Sequence, residues 1–204
     1  MDKKFYKTIV FIVRIFMKIF YPFEIRGAEN CEKMKDGYII CSNHISNFDP
    51  IFLIISNKRP IYFMAKEELF RNKLFNWFFT KVGAFAVRRG KNDKSALLKS
   101  ENIIKNKEIL GIFIEGTRSK TGEFLRPKAG VTLIAKNTDA NIIPVCITGA
   151  CSNNKICLFR KTIVSYGNPI TQSDLKIKEC SRAELKFATE FIMNEIKKQR
   201  DQRR

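Results

Sequence analysis

The chain has 204 residues, 45% of them apolar, which suits one folded domain with its own core and excludes an intrinsically disordered segment. Lysine and arginine total 38 against 20 acidic residues; the net charge of +18 restricts partners to polyanions such as anionic lipid, phosphorylated small molecules, an acidic carrier protein or nucleic acid. Six cysteines without a C-x-x-C pair, beside a single histidine, fit a reducing cytosolic setting without a disulfide framework or the usual Cys/His zinc sites.

Residues 5–23 are strongly apolar, yet Lys7, Arg14 and Lys18 interrupt them. A spanning helix needs about 20 mostly apolar residues. Each central charge would cost roughly 2.5–3.5 kcal/mol. A signal peptide fits no better, because the apolar run before Arg14 is short and no small-residue cleavage site follows. At about 100° per residue, Lys3, Lys7, Arg14 and Lys18 fall on one narrow stripe, and the rest of the circumference is apolar. The segment 1–23 therefore reads as an amphipathic helix lying in a membrane interface, its cations at the headgroups. The plainer alternative is a helix packed on the domain.

Residues 24–204 read as one domain without linker or internal repeat. Short apolar runs predict strands at 38–41, 61–64, 84–87, 110–114, 142–148 and 162–166. Helical patterns lie at 50–56, 67–80, 91–106, 129–136 and 181–199. This alternation predicts an α/β fold, a largely parallel central sheet flanked by helices.

Four segments stand out, three of them at predicted strand ends, where α/β sheets build sites. The first is Asn43-His44-Ile45-Ser46-Asn47-Phe48-Asp49, with the only histidine of the chain. Asp49 could orient the imidazole, or could simply cap a helix starting at Pro50; Asn43 and Ser46 read equally as turn residues. The second, Gly83 to Gly90, ends in Arg88-Arg89, which bind a phosphate or are solvated. The third, Glu115-Gly116-Thr117-Arg118, suits a polyol phosphate, or an ordinary strand exit with a surface ion pair. The fourth, Ile143-Pro144-Val145, reads as a buried strand starting near its proline.

Together and in this order, the four segments resemble the blocks of the glycerolipid acyltransferases, specifically their lysophosphatidic acid acyltransferase branch. Asn43-His44 and Asp49 match the N-H-x-x-x-x-D signature; Arg89 corresponds to the arginine of the second block. Ile114 stands where the third block usually has proline, and Ala86 where the second often has proline or a bulkier residue. Neither change removes a catalytic group. The resemblance implies acyl transfer from a thioester to the sn-2 hydroxyl of lysophosphatidate, giving phosphatidate. It gives His44 as general base, oriented by Asp49, and Arg89, with Arg88 and Arg118, as holders of the acceptor phosphate. Glu115, Gly116 and Thr117 would place the glycerol. No metal or cofactor is implied; acyl-CoA or acyl carrier protein is the co-substrate. A covalent route through Cys41 or Ser46 ranks below direct attack, since no G-x-S-x-G elbow is present. The lipid substrates place the chain at the cytoplasmic face of the cell membrane, peripheral or monotopic. The same blocks would also serve glycerol-3-phosphate or another lysophospholipid as acceptor. Nucleic-acid binding is suggested by charge alone and lacks an RNP, KH, zinc-finger or helix-turn-helix signature.

Overall fold

In the computed structural model, which describes residues 1–88, 93–149 and 158–201, the apolar runs assemble into one seven-stranded sheet. In chain order the strands are β1 (Phe23–Arg26), β2 (Tyr38–Ser42), β3 (Ile61–Lys66), β4 (Ala84–Val87), β5 (Ile109–Phe113), β6 (Ile142–Thr148) and β7 (Thr162–Tyr166). Their order across the sheet is β1-β7-β6-β2-β5-β3-β4. Neighbours pair parallel except β6 with β7, which are antiparallel. The helices are α1 (Lys3–Phe20), α2 (Glu29–Glu32), α3 (Asp49–Ser56), α4 (Lys73–Lys81), α5 (Lys94–Lys105), α6 (Gly130–Thr138), α7 (Gln172–Leu175) and α8 (Arg182–Asp201). A 3₁₀ turn covers Glu67–Phe70.

Period-two alternation divides the central strands between two cores. Ile39, Cys41, Leu110 and Ile142 face the layer of α5, α6 and α8, meeting Ile103, Ile134 and Ile192. Tyr38, Ile40, Ile109 and Ile143 face the other layer, where Phe52 and Leu53 of α3 and Met17 of α1 lie. Every residue of β2 is buried, as a parallel strand covered on both faces requires. Each such isoleucine stabilises the fold by about 1.5–3 kcal/mol relative to exposure.

The predicted α/β architecture is the one observed, with local differences; the single-turn helices α2 and α7 are too short to show a helical pattern in the sequence. β1 escapes sequence detection because it is a four-residue, half-buried strand at the sheet edge. The predicted helix over 67–80 breaks at Asn72, whose side chain accepts from the amides of Leu74 and Phe75 and starts α4 afresh. Pro144 lies inside β6, not at its start. Its carbonyl accepts from Gly167 one residue before β6 and β7 begin to pair, so its missing N–H falls outside that ladder. Lys91, the predicted start of α5, lies outside the described residues, and Asp93 caps the helix through the amide of Ala96.

α1 does two things at once. Tyr6 and Met17 are buried, and Val10 and Val13 pack beside Met17 on the α3 layer. Phe11, Ile12, Ile15, Phe16 and Ile19 point away and stay exposed. Arg14 departs from its predicted place among the outward cations: Nε, at 3.1 Å, and Nη2 both donate to the carbonyl of Ile55 near the end of α3. No described helix is long and apolar enough to cross a membrane.

Candidate active site

The site grows from the C-terminal end of β2. Asn43 behaves as an extra strand residue, not as a turn: its Nδ2 donates to the carbonyl of Ile147 at 3.0 Å, and its Oδ1 accepts from the Ile147 amide at 2.8 Å. This two-point bond clamps the exit of β2 to β6. His44 follows, itself buried, and its main chain is held on both sides by the third segment and the serine that follows it. Its amide donates to Glu115 Oε1 at 3.2 Å, and its carbonyl accepts from the Ser119 amide at 2.8 Å. The imidazole stacks on Phe113, centroids 4.0 Å apart and planes 16° from parallel.

Asp49 is the first residue of α3 but does not cap it; Phe48 stands at the N-cap without a side-chain bond. The carboxylate turns back instead. One oxygen, Oδ2, accepts from His44 Nδ1 at 2.8 Å, the Ile45 amide at 2.6 Å and the Ser46 amide at 2.7 Å. With two N–H groups already on that oxygen, the ring bond runs Nδ1–H to Oδ2, which leaves Nε2 as the basic nitrogen. The other oxygen, Oδ1, is buried with no hydrogen-bond partner among the described residues. Spacing alone left the cap and the dyad as alternatives, and the geometry selects the dyad.

Glu115 lies beneath this pair, 1% exposed. Its two oxygens are taken by main-chain donors, Oε1 by His44 and Oε2 by Leu125, the latter at 3.2 Å. Burial pushes its carboxyl up to about 7; the two amides pull the other way, and the charge of Asp49 adds to the rise. Gly116 has a φ of +68°, and a Cβ there would sit 2.9 Å from Lys128 Cδ. The glycine thus admits the lysine stem beside the site. Nothing in Pro127-Lys128-Ala129-Gly130 separates Lys128 from other lysines by sequence.

The remaining candidates divide. Arg118 lines a cavity with His44, while Thr117 is exposed. Arg88 does not join them: its exposed guanidinium pairs with Glu67 at 3.1 Å, and its amide donates to Asp93. Arg89 lies outside the described residues. Cys41 is sealed in the core, where burial raises its thiol far above the ordinary range, and Ser46 Oγ accepts from the Phe48 amide. Neither has the setting of an activated nucleophile. Among the described residues, no three His, Cys, Asp or Glu side chains gather where a metal ion could be held.

The cavity has a volume of about 640 Å³ and is mostly apolar. Val10 and Val13 of α1, Ile51 and Ile54 of α3, and Phe78 and Phe79 of α4 are in its wall. His44, Asn47, Lys66 and Arg118 are among its polar lining groups.

A buried histidine–aspartate dyad at the C-terminal edge of a mostly parallel sheet, facing an apolar cavity, is the arrangement of an α/β protein that can deprotonate a hydroxyl beside an aliphatic chain. The Acyltransferase family profile matches residues 22–148, and the chain belongs to that family. It is 32% identical over 162 residues to the 1-acyl-sn-glycerol-3-phosphate acyltransferase of Bacillus subtilis, covering 79% of this chain and 80% of that one. To the protein of the same description from Streptococcus pneumoniae it is 30% identical over 152 residues, 74% of this chain. The match spans 56% of the pneumococcal protein, little more than half its length. The crystal structure of the 1-acyl-sn-glycerophosphate acyltransferase from Thermotoga maritima shares the fold. Its TM-score is 0.75 at 23% identity, over 99% of this chain and 83% of that one.

Proposed function

We propose that this chain moves a fatty acyl group from a thioester to the sn-2 hydroxyl of lysophosphatidate, giving phosphatidate and a free thiol. The observation that carries the reading is the His44–Asp49 dyad in the wall of an apolar cavity. His44 Nε2 takes the hydroxyl proton as the oxygen attacks the thioester carbon, and Asp49 stabilises the imidazolium. The tetrahedral intermediate then collapses: the C–S bond breaks and the imidazolium returns its proton to the departing thiolate. The thioester is acyl-CoA or acyl-acyl carrier protein, and the reaction uses no cofactor. The aliphatic chain occupies the cavity.

Arg118 holds the acceptor phosphate, with Lys128 beside Gly116 and Arg89 as further cations. Fixing the phosphate turns an encounter into an aligned attack. Glu115 acts through the main chain of His44 rather than by touching glycerol, because both its oxygens are already engaged. An acyl-transfer assay with lysophosphatidate and each thioester tests the reading. Transfer to glycerol-3-phosphate alone would move the acceptor to the rival substrate. Loss of a charge-assisted phosphate contact is worth about 1.5–3 kcal/mol, so Arg118→Ala should raise the KM for lysophosphatidate about 10- to 100-fold. The same variant should barely change transfer to uncharged monoacylglycerol, and an equal loss on both acceptors would remove the phosphate role.

The chain works as a peripheral or monotopic protein at the cytoplasmic membrane face, seated by the outward arc of α1. Deleting residues 1–23 would also strip Met17 and Tyr21 from the core, so it is a poor test. Phe11 and Ile15, 66% and 48% exposed, can be changed without opening the fold. Phe11→Glu with Ile15→Glu should lower partitioning onto anionic vesicles by about 100-fold in co-sedimentation, about tenfold for each buried side chain lost. Undiminished binding of a folded double variant would refute the α1 anchor.

A further inference from the structure

We infer that α4 is a second membrane-contact element, and that Trp77 enters the interface beside α1; this rests on the reading of α1 as an interfacial helix. α4 has nine residues and none of them is buried. Its inward side gives Phe78 and Phe79 to the cavity wall. Leu74, Phe75 and Trp77 stay exposed, the last by 52%. The sequence pattern predicts only a helix over 67–80, and nothing in the catalytic scheme uses these three side chains.

The exposed face is continuous with that of α1. Phe5 meets the Trp77 ring edge-on at 5.4 Å and the Phe78 ring at 6.5 Å. At about 100° per residue, Phe5 falls between Ile12 and Phe16 on the outward arc of α1. The helices are also tied by charge and main chain: Lys81 Nζ lies 3.3 Å from Asp2 Oδ2, and the Asp2 amide donates to the Lys81 carbonyl. One apolar surface therefore runs from Ile19 and Ile15 through Phe5 to Trp77, Phe75 and Leu74. A surface of that extent marks a contact.

Charge selects the occupant. At about 100° per residue Lys7 and Lys18 edge the outward arc of α1 and Lys4 lies within it, and Lys73 opens α4, on a chain of net charge +18. Cations around an apolar face with a tryptophan fit an anionic bilayer, where indole sits at headgroup depth and lysines reach phosphates. The arrangement also places the cavity between the two contacts, since Val10 and Val13 of α1 and Phe78 and Phe79 of α4 share its wall. An acyl chain can then pass sideways from the bilayer between α1 and α4.

Trp77 is the only tryptophan of the chain, so its fluorescence reports this surface alone. With the full chain and vesicles of mixed phosphatidylglycerol and phosphatidylcholine, Trp77 emission should shift to the blue and be quenched by brominated acyl chains. Phe75→Glu should weaken vesicle partitioning about tenfold, the loss of one buried aromatic side chain. Its transfer rate on a soluble short-chain acceptor should match wild type. Co-sedimentation without a Trp77 shift would overturn the inference and leave the α1 anchor standing. A blue shift that needs no vesicles and follows dimer formation in sedimentation would assign the patch to a second copy and overturn it too. Absence of vesicle binding would refute both membrane claims, whatever the catalytic assay shows.

Discussion

His44→Ala should lower kcat for acyl transfer by about 10²- to 10⁴-fold, the range for loss of a positioned general base. The chain has no second imidazole to substitute for it. Removing the ring also removes its stack on Phe113, so a drop in activity must be separated from a loss of fold. His44→Asn makes that separation: its amide can still donate to Asp49 Oδ2 near the place of Nδ1, but offers no basic nitrogen. It should unfold close to the wild-type temperature and be as inactive as the alanine variant. Near wild-type turnover by either folded variant would remove the general-base assignment and leave the family and the fold untouched.

Glu115→Ala carries the second large effect. It strands the amides of His44 and Leu125, each worth about 1–3 kcal/mol when buried without a partner, so stability should fall by about 2–6 kcal/mol. Misplacement of the His44 main chain should also cut kcat by about 100-fold or more, while the KM for lysophosphatidate moves less than about threefold. A large rise in KM with kcat preserved would instead mean that Glu115 touches the acceptor. Stability should carry a pH signature as well. The carboxyl sits near 7 in the fold against an ordinary value of 4.5, so the folded state holds its proton more tightly. That contribution is complete below about 4.5 and is lost as pH rises through about 7. Relative to Glu115→Gln, wild type should therefore lose up to about 3 kcal/mol between pH 4.5 and 8, read from urea unfolding. Parallel curves for the two proteins would show that Glu115 does not titrate in this window.

The inner sheet is legible in sequence because β2, β5 and β6 are covered on both faces, and only near-continuous apolar runs survive there. β1 has no such constraint; four half-buried residues at an edge carry too little pattern. His44 and Asp49 are legible as a pair because only four residues separate them and a single turn brings them together. Their partners are not. Glu115 reaches the His44 amide across 71 positions, and Asn43 reaches Ile147 across 104, contacts that only the strand order β6-β2-β5 creates. Charge pairing misleads in the same way: Arg88 at a strand end looks like a phosphate ligand until Glu67 is seen beside it.

α3 ties together two features described separately. At its first residue Asp49 grips the imidazole, and near its last turn Arg14 of α1 holds the Ile55 carbonyl. Eight residues of helix make a strut about 12 Å long. With α1 in the bilayer surface, as proposed, that strut would fix the height of His44 above the membrane plane. Lipids would then be sorted by depth as well as by chemistry: a hydroxyl held at that level reacts, and one lying deeper or shallower stays out of reach.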